Sequence, residues 1–405
     1  MNAETHYQTK VSHSDIHSLQ VKVLGEIISE PYIELNNEKQ IEISFDDLGD
    51  GYTGYSYSII HCDADWKKSQ LMVSEYMTGF QEVLIEDYAS SIATTTPYIN
   101  YRITLPNDEV QLTKSGNYAV LVHKQGEHTE PVLTACFSIV EPLIDISASI
   151  SSNTDIDTNN EHQQLSFTLH TEQFPIAFPQ NDLKISIKQN SRTDNEIDNV
   201  QPMNVQANKI VYSHKKELIF KAGNEFRRME FLSHRYKGLG IEEIHFVNPY
   251  YHVSVEQDAS KKGKGYKYDQ DQNGRFFIQC SGCNNPNIEA DYHMVHFSLH
   301  INQPLAGEVY ISGELFQNRL SSLNKMVYNN ETKCYEKSVL LKQGNYNYQY
   351  LHCPPGSTRG ETISIEGDYF QAENEYTILT FYRPAGARYD RLIGKKSLAN
   401  HQLTF

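Results

Sequence analysis

One tryptophan, six cysteines and few clustered cations mark this 405-residue chain by what it has little of. No apolar run approaches the roughly 20 residues needed to span a bilayer, so a soluble protein without a membrane anchor is expected. Six cysteines in a chain of this length are too few for a disulfide scaffold, and if all were oxidised they could pair in about 15 ways. The balance of 35 Lys plus Arg against 51 Asp plus Glu gives a formal charge of −16. Such a surface repels phosphate backbones and anionic headgroups, so neither nucleic acid nor direct membrane insertion is expected. The longest cationic run, Lys261-Lys262-Gly263-Lys264, sits in a glycine-containing loop and reads as a solvated turn. The opening MNAETHYQTKVSHSD has no apolar stretch of the kind a secretory leader carries. It reads as a cytosolic chain or as a mature one whose leader has been removed.

Catalytic signatures are also missing. There is no G-x-S-x-G, no phosphate loop and no Cys/His pairing that local sequence supports, so the chain reads as a non-enzyme with no cofactor. Four stretches nevertheless invite a chemical reading. Asp63 and Asp65 follow a strand at i and i+2 and could chelate a hard cation or share a proton, but DADW also suits a strand end with Trp66 folded over the core. DQDQNG, Asp269 to Gly274, begins like a calcium loop, yet Cys280 stands where the bidentate Glu belongs and FFIQ follows as a strand, so an Asn-Gly hairpin turn accounts for it. Cys280 and Cys283 have the spacing of a zinc half-site, but no second pair of ligands follows, which leaves a tight local disulfide or free thiols. His293, His296 and His300 lie on one strand with the first facing away from the others, which argues against a shared metal.

What the sequence has in abundance is strand chemistry. Its 27 Tyr and 17 Phe suit a pleated, half-buried surface. Period-2 alternation runs through QIEISF (40–45), YSYSIIHC (55–62), NYRITL (100–105), 118–122, 165–169 and 183–187, separated by turn residues such as Gly49-Asp50-Gly51, Pro106-Asn107-Asp108 and Ser115-Gly116-Asn117. Ser69 to Phe80 alone has helix-like spacing, and it reads as a long loop with one helical turn. The fold class expected is all-β, as tandem immunoglobulin-like antiparallel β-sandwich domains. Length predicts about three of them, placed at 1–141, 142–287 and 288–405. In CYEKSVLLKQGNYNYQYLHC, a hairpin turning at Gln343-Gly344 sets Leu341 opposite Tyr346 and separates an apolar face from a polar one. It also sets Cys334 opposite Cys353, at a hydrogen-bonded site whose geometry for a disulfide is marginal.

The order and spacing of several short motifs are similar to those of the type IX secretion system plug family of Bacteroidota. They are HCDADW, then SEY, GF and DY; QNSRTDN and AGNEFRR; DQNG, EADY and QGNYNYQY; and a closing EGDYFQAENEYTILTFYRPAGARYDRLIG. The resemblance covers nearly the whole chain and makes His61, Asp63, Asp65 and Trp66 family-signature residues. AGNEFRR departs in having Ala222 where glycine is expected. The resemblance implies a periplasmic protein at the inner face of the outer membrane. There it would cover the mouth of a β-barrel secretion translocon as a monomer in a 1:1 complex. Arg and Tyr are favoured in such contacts, which makes Tyr382, Arg383, Arg388, Tyr389 and Arg391 candidate partner residues, with closure of the third domain as their other reading. The alternative function is carbohydrate binding, because 307–350 is similar to the immunoglobulin-like modules of starch-active enzymes. In the hairpin register, however, Tyr346, Tyr348 and Tyr350 point inward.

Overall fold

A computed structural model describes residues 5–127 and 130–400. Its described helices are single turns, Val73–Tyr76, Pro179–Asp182 and Pro286–Glu289, besides two 3-10 turns, and strands make up the rest of the regular structure. Val73–Tyr76 is the one turn expected within 69–80. The strands build three sandwiches, each around its own apolar core.

The first sandwich packs one sheet, Ile16–Val23, Ile41–Asp47, Ile99–Leu105 and Tyr88–Ser90, on a second. The second sheet is built on Leu133–Val140, Gly116–Lys124 and Tyr55–Cys62. Alternation explains the arrangement: Tyr55, Tyr57 and Ile59 point into the core, and Ser56 and Cys62 on the opposite face are covered as well. Most pairing is antiparallel, but Tyr32–Glu34 runs parallel to Leu133–Val140.

The middle and third sandwiches are interleaved in sequence. The middle one pairs Asp145–Ser151 with His162–His170, and Leu183–Gln189 with Glu375–Tyr382, which in turn pairs with Arg391–Ala399. Its core draws Tyr376, Ile378 and Ile393 from the far end of the chain. The third sandwich is inserted before that return. Arg227–Phe231 and Phe276–Ile278 both pair with Gly344–Cys353, so the division expected at 287/288 falls inside one sheet system. Tandem order is therefore corrected to an insertion: the middle sandwich is completed only by the C-terminal hairpin.

The expected Gln343-Gly344 hairpin is also corrected. Cys334–Lys342 pairs with Tyr292–His300 in one sheet, whereas Gly344–Cys353 belongs to the opposite sheet. Neither Gln343 nor Gly344 takes the positive φ that a two-residue turn requires. Gly344 instead turns a corner between layers, where an added Cβ would lie 2.4 Å from the Phe277 carbonyl oxygen. Tyr346, Tyr348 and Tyr350 are buried as expected, but without a hairpin partner: Tyr346 stacks on Phe231 and Phe276 of its own sheet, and Tyr348 meets Phe297 of the facing one. Cys334 and Cys353 are free thiols on different sheets, and the disulfide joins Cys280 to Cys283.

Candidate functional site

The strand Tyr55–Cys62 ends at the surface between the first and middle sandwiches, and its signature residues form a seam there. His61 lies on the core face, with Nδ1 2.9 Å from Ser69 Oγ and Nε2 3.1 Å from the Ser115 carbonyl. Burial holds its pKa down to about 4, so the imidazole is neutral and its two polar neighbours are satisfied without charge. After the strand the chain turns tightly, with the Trp66 amide donating to the Asp63 carbonyl and Trp66 itself at φ 60°.

Asp63 is buried and faces the C-terminal hairpin. Its Oδ1 accepts the Asp390 amide at 3.0 Å and its Oδ2 accepts Arg383 Nη1 at 3.0 Å. Asp390 reciprocates: its Oδ2 accepts the Ala64 amide at 2.9 Å and Lys184 Nζ at 2.8 Å. Burial first, then the neighbouring Asp390, raises the pKa of Asp63. Asp65 is exposed and pairs with Lys67 at 3.3 Å, so the two aspartates do not form a dyad. Trp66 is half-buried, with Lys188 Nζ 5.8 Å from its ring centroid.

The residues singled out for partner contact engage the same seam from the other side. Besides Arg383, Arg391 grips Glu141 with two bonds of 2.9 and 2.8 Å to Nη2, and Arg388 pairs with Glu75. Tyr389 sets its ring edge-on to His61 at 5.3 Å, whereas Tyr382 stays out of the seam and packs edge-on against Phe174 on the middle sandwich's own core. Arg388 alone among the three arginines keeps about half of its side chain (49 %) exposed. A second contact between these sandwiches centres on Glu30, which accepts Thr377 Oγ1 at 2.8 Å and Ser397 Oγ at 3.0 Å beside Lys395. Burial alone would push the Glu30 pKa up, but Lys395 and the two hydroxyls bring it below the ordinary value.

A separate seam joins the first and third sandwiches, and sequence reasoning missed it. Asp46 Oδ2 accepts both Tyr292 Oη and Lys342 Nζ at 2.6 Å, while Oδ1 takes Asn100 Nδ2 at 2.8 Å. Lys342 Nζ sits 4.1 Å from the Tyr98 ring centroid, and Tyr98 Oη donates to the Ala290 carbonyl. Asp291 accepts the amides of Thr95 and Thr96 at 2.9 and 3.0 Å. Burial lowers the Lys342 pKa, and the Asp46 carboxylate partly offsets it. The signal available in sequence was a carboxylate, Asp46, on a strand otherwise patterned for burial. Middle and third sandwiches meet through Arg275 with Glu375 at 2.7 Å. They also meet through Arg192, which holds Asp194 and the Gly360 carbonyl.

Among the described residues no three His, Cys, Asp or Glu side chains converge on a metal position. DQDQNG folds as a turn, but not between paired strands, since Phe276–Ile278 pairs with Gly344–Cys353. Its Asp271 caps the turn by accepting the Asn273 amide at 2.7 Å, and Asp269 pairs with Arg228 at 2.7 Å. His293 lies buried beside Phe231, whereas His296 shares a 2.8 Å hydrogen bond with His252.

Such geometry joins three β-sandwiches through ion pairs and hydrogen bonds, with the Asp46–Lys342 pair buried among them, in an all-β protein. Residues 16–141 match the family described as the type 9 secretion system plug protein, first domain. Those residues form a type IX secretion system plug domain, which belongs to a secretion-plug family and not an enzyme family. A solved structure described as a hypothetical protein from Parabacteroides merdae ATCC 43184 is 55% identical. The match covers 98% of this chain and 100% of that one, with a TM-score of 0.97. Native alpha-2-macroglobulin from Escherichia coli, spanning domains NIE-MG1, is 8% identical over 48% of this chain and 97% of its own. Its TM-score of 0.15 carries no argument. No curated protein matches the chain.

Proposed function

We propose that this protein is a non-enzymatic plug that sits in the periplasm against the inner face of the outer membrane. It closes the periplasmic opening of the type IX β-barrel translocon at rest, as a monomer in a 1:1 complex. The observation that carries this reading is the match of residues 16–141 to the plug family. The seams support it physically. A cover over a wide pore must not deform, and a buried ion pair is costly to open because each half would be left uncompensated in a dry site. The Asp63–Arg383–Asp390 and Asp46–Lys342 groups therefore resist hinge motion between sandwiches. The charge of −16 keeps the plug off anionic lipid, and no described helix is long and apolar enough to cross a membrane.

A plug must also leave, which calls for a polar-rimmed interface on the order of 1,200 to 2,000 Å². Arg388 is the residue among the five expected contacts with most side chain left to offer, since Arg383, Tyr389 and Arg391 are tied into the seam and Tyr382 packs on the middle core. An affinity-tagged chain recovered from native outer membranes should bring with it a β-barrel of very high mass in equal amount. Recovery of the chain alone, from membranes that contain the barrel, would count against the assignment. Glucan binding is expected to be absent, since Tyr346, Tyr348 and Tyr350 are buried and form no sugar platform; saturable retardation in a glucan-containing gel would contradict that.

A further inference from the structure

Where the three sandwiches meet, they line a half-open cavity of about 190 Å³ that neither the seams nor the plug role explains. Four separated motifs supply its wall: Trp66 from HCDADW, Ser191 from QNSRTDN, Asn273 from DQNG, and Gln317, Asn318 and Arg319 from the segment after Leu315-Phe316. The first five of these have left-handed backbone, with φ of 60, 55, 52, 53 and 52°. Only 13 non-glycine residues in the described chain do so, and five of them line this one space. Left-handed backbone is costly outside glycine, and its concentration in one cavity wall is typical of a ligand site rather than of a chance void.

The charges on the wall are ion-paired except for Glu314 and Arg319. Lys188 lies 3.7 Å from Glu196, Arg275 pairs with Glu375, and Glu30 lies 3.2 Å from Lys395. Glu314 accepts the Phe276 amide, and burial pushes its pKa up to about 7. Arg319 has neither an ion pair nor a side-chain hydrogen bond among the described residues, although it is half-buried. Burial lowers its pKa, with only the Cys136 thiol acting against it and no carboxylate. An uncompensated guanidinium in a partly dry wall is unfavourable in an otherwise acidic protein, and an anion would relieve it. Phe137, Leu19 and the Trp66 indole make the rest of the wall largely apolar.

We propose that this cavity binds the carboxylate of a small molecule or peptide end with an apolar body. Arg319 receives the carboxylate, and the apolar body lies against Phe137, Leu19 and the Trp66 indole. The space holds about six waters at roughly 30 Å³ each, which suits one ring or one side chain rather than a polymer. Because the wall is contributed by all three sandwiches, occupancy would tighten the body as a whole.

Calorimetric titration of the full chain tests this with benzoate for a free acid, acetyl-Gly-Phe for a peptide end, benzamide as the uncharged counterpart and inorganic phosphate as an anion without an apolar body. At least one of the two carboxylates should bind saturably, with benzamide and phosphate weaker by about tenfold or more. Arg319→Gln should weaken the carboxylate by a similar factor, Arg319→Lys by less, and neither should lower the melting temperature of the free protein. Failure of both carboxylates to bind, binding unchanged in Arg319→Gln, or phosphate binding as well as they do would overturn the proposal. None of these results bears on whether the chain associates with a barrel.

Discussion

At pH 7 the His61 imidazole is neutral, because burial penalises its charged form and the groups it meets, Ser69 Oγ and the Ser115 carbonyl, do not repay that penalty. Its folded pKa of about 4 lies below the ordinary value of 6.5. Between those values the unfolded chain binds the proton and the folded one does not. Stability is thus whole above pH 6.5 and falls as pH drops toward 4, by about 3 kcal/mol at most for this residue. Nitrogen-detected NMR should show a neutral ring at pH 5.5; titration near 6.5 would contradict the packing described. Lys342 makes the complementary case. Lys342→Ala strands Asp46 in a dry seam and should cost about 3–5 kcal/mol in urea unfolding, while the double variant Asp46→Asn, Lys342→Met should recover much of that. Equal losses in both would mean that the pair itself, rather than its breaking, sets the energy.

Single strands were readable from sequence at the scale of the element, and their neighbours were not. Tyr55–Cys62, Ile41–Asp47 and Ile99–Leu105 follow from period-2 alternation, because each has one face on a core. The Gln343-Gly344 turn shows the limit. Two consecutive strands that face each other across a core have the same alternation as two that pair edge to edge, so the pattern could not distinguish a corner from a hairpin. What excludes the hairpin is the backbone at Gln343 and Gly344, neither of which has positive φ, and sequence does not show those angles. Gly344→Ala is expected to lose about 2 kcal/mol or more, because the methyl meets the Phe277 carbonyl rather than open space, whereas Gly51 has nothing within 4 Å of a built Cβ. Gly51 has positive φ, so its alanine variant carries backbone strain alone and should cost about 1 kcal/mol. Comparable losses at the two sites would undercut the corner. The signature stretch HCDADW was legible as a strand end, but its partner Asp390, more than 300 residues away, was not, since nothing local to either segment encodes the other.

For the whole molecule, the insertion of the third sandwich and the return of Glu375–Tyr382 and Arg391–Ala399 to the middle one tie distant segments into one unit. The middle core cannot close until the C-terminal hairpin arrives, so a chain ending at residue 374 should lack a folded middle sandwich. Its loss would show as increased proteolysis within 143–221, and protection equal to the full chain would contradict the topology. Stiffness of this kind is what a cover over an open pore requires, and it gives the plug reading its physical content. The most direct test is outer-membrane permeability to a large hydrophilic solute in the native host, measured with and without this chain and with and without the translocon. The account predicts entry only when the chain is absent and the translocon present. Permeability that does not change on removing the chain, with the translocon in place, would contradict it.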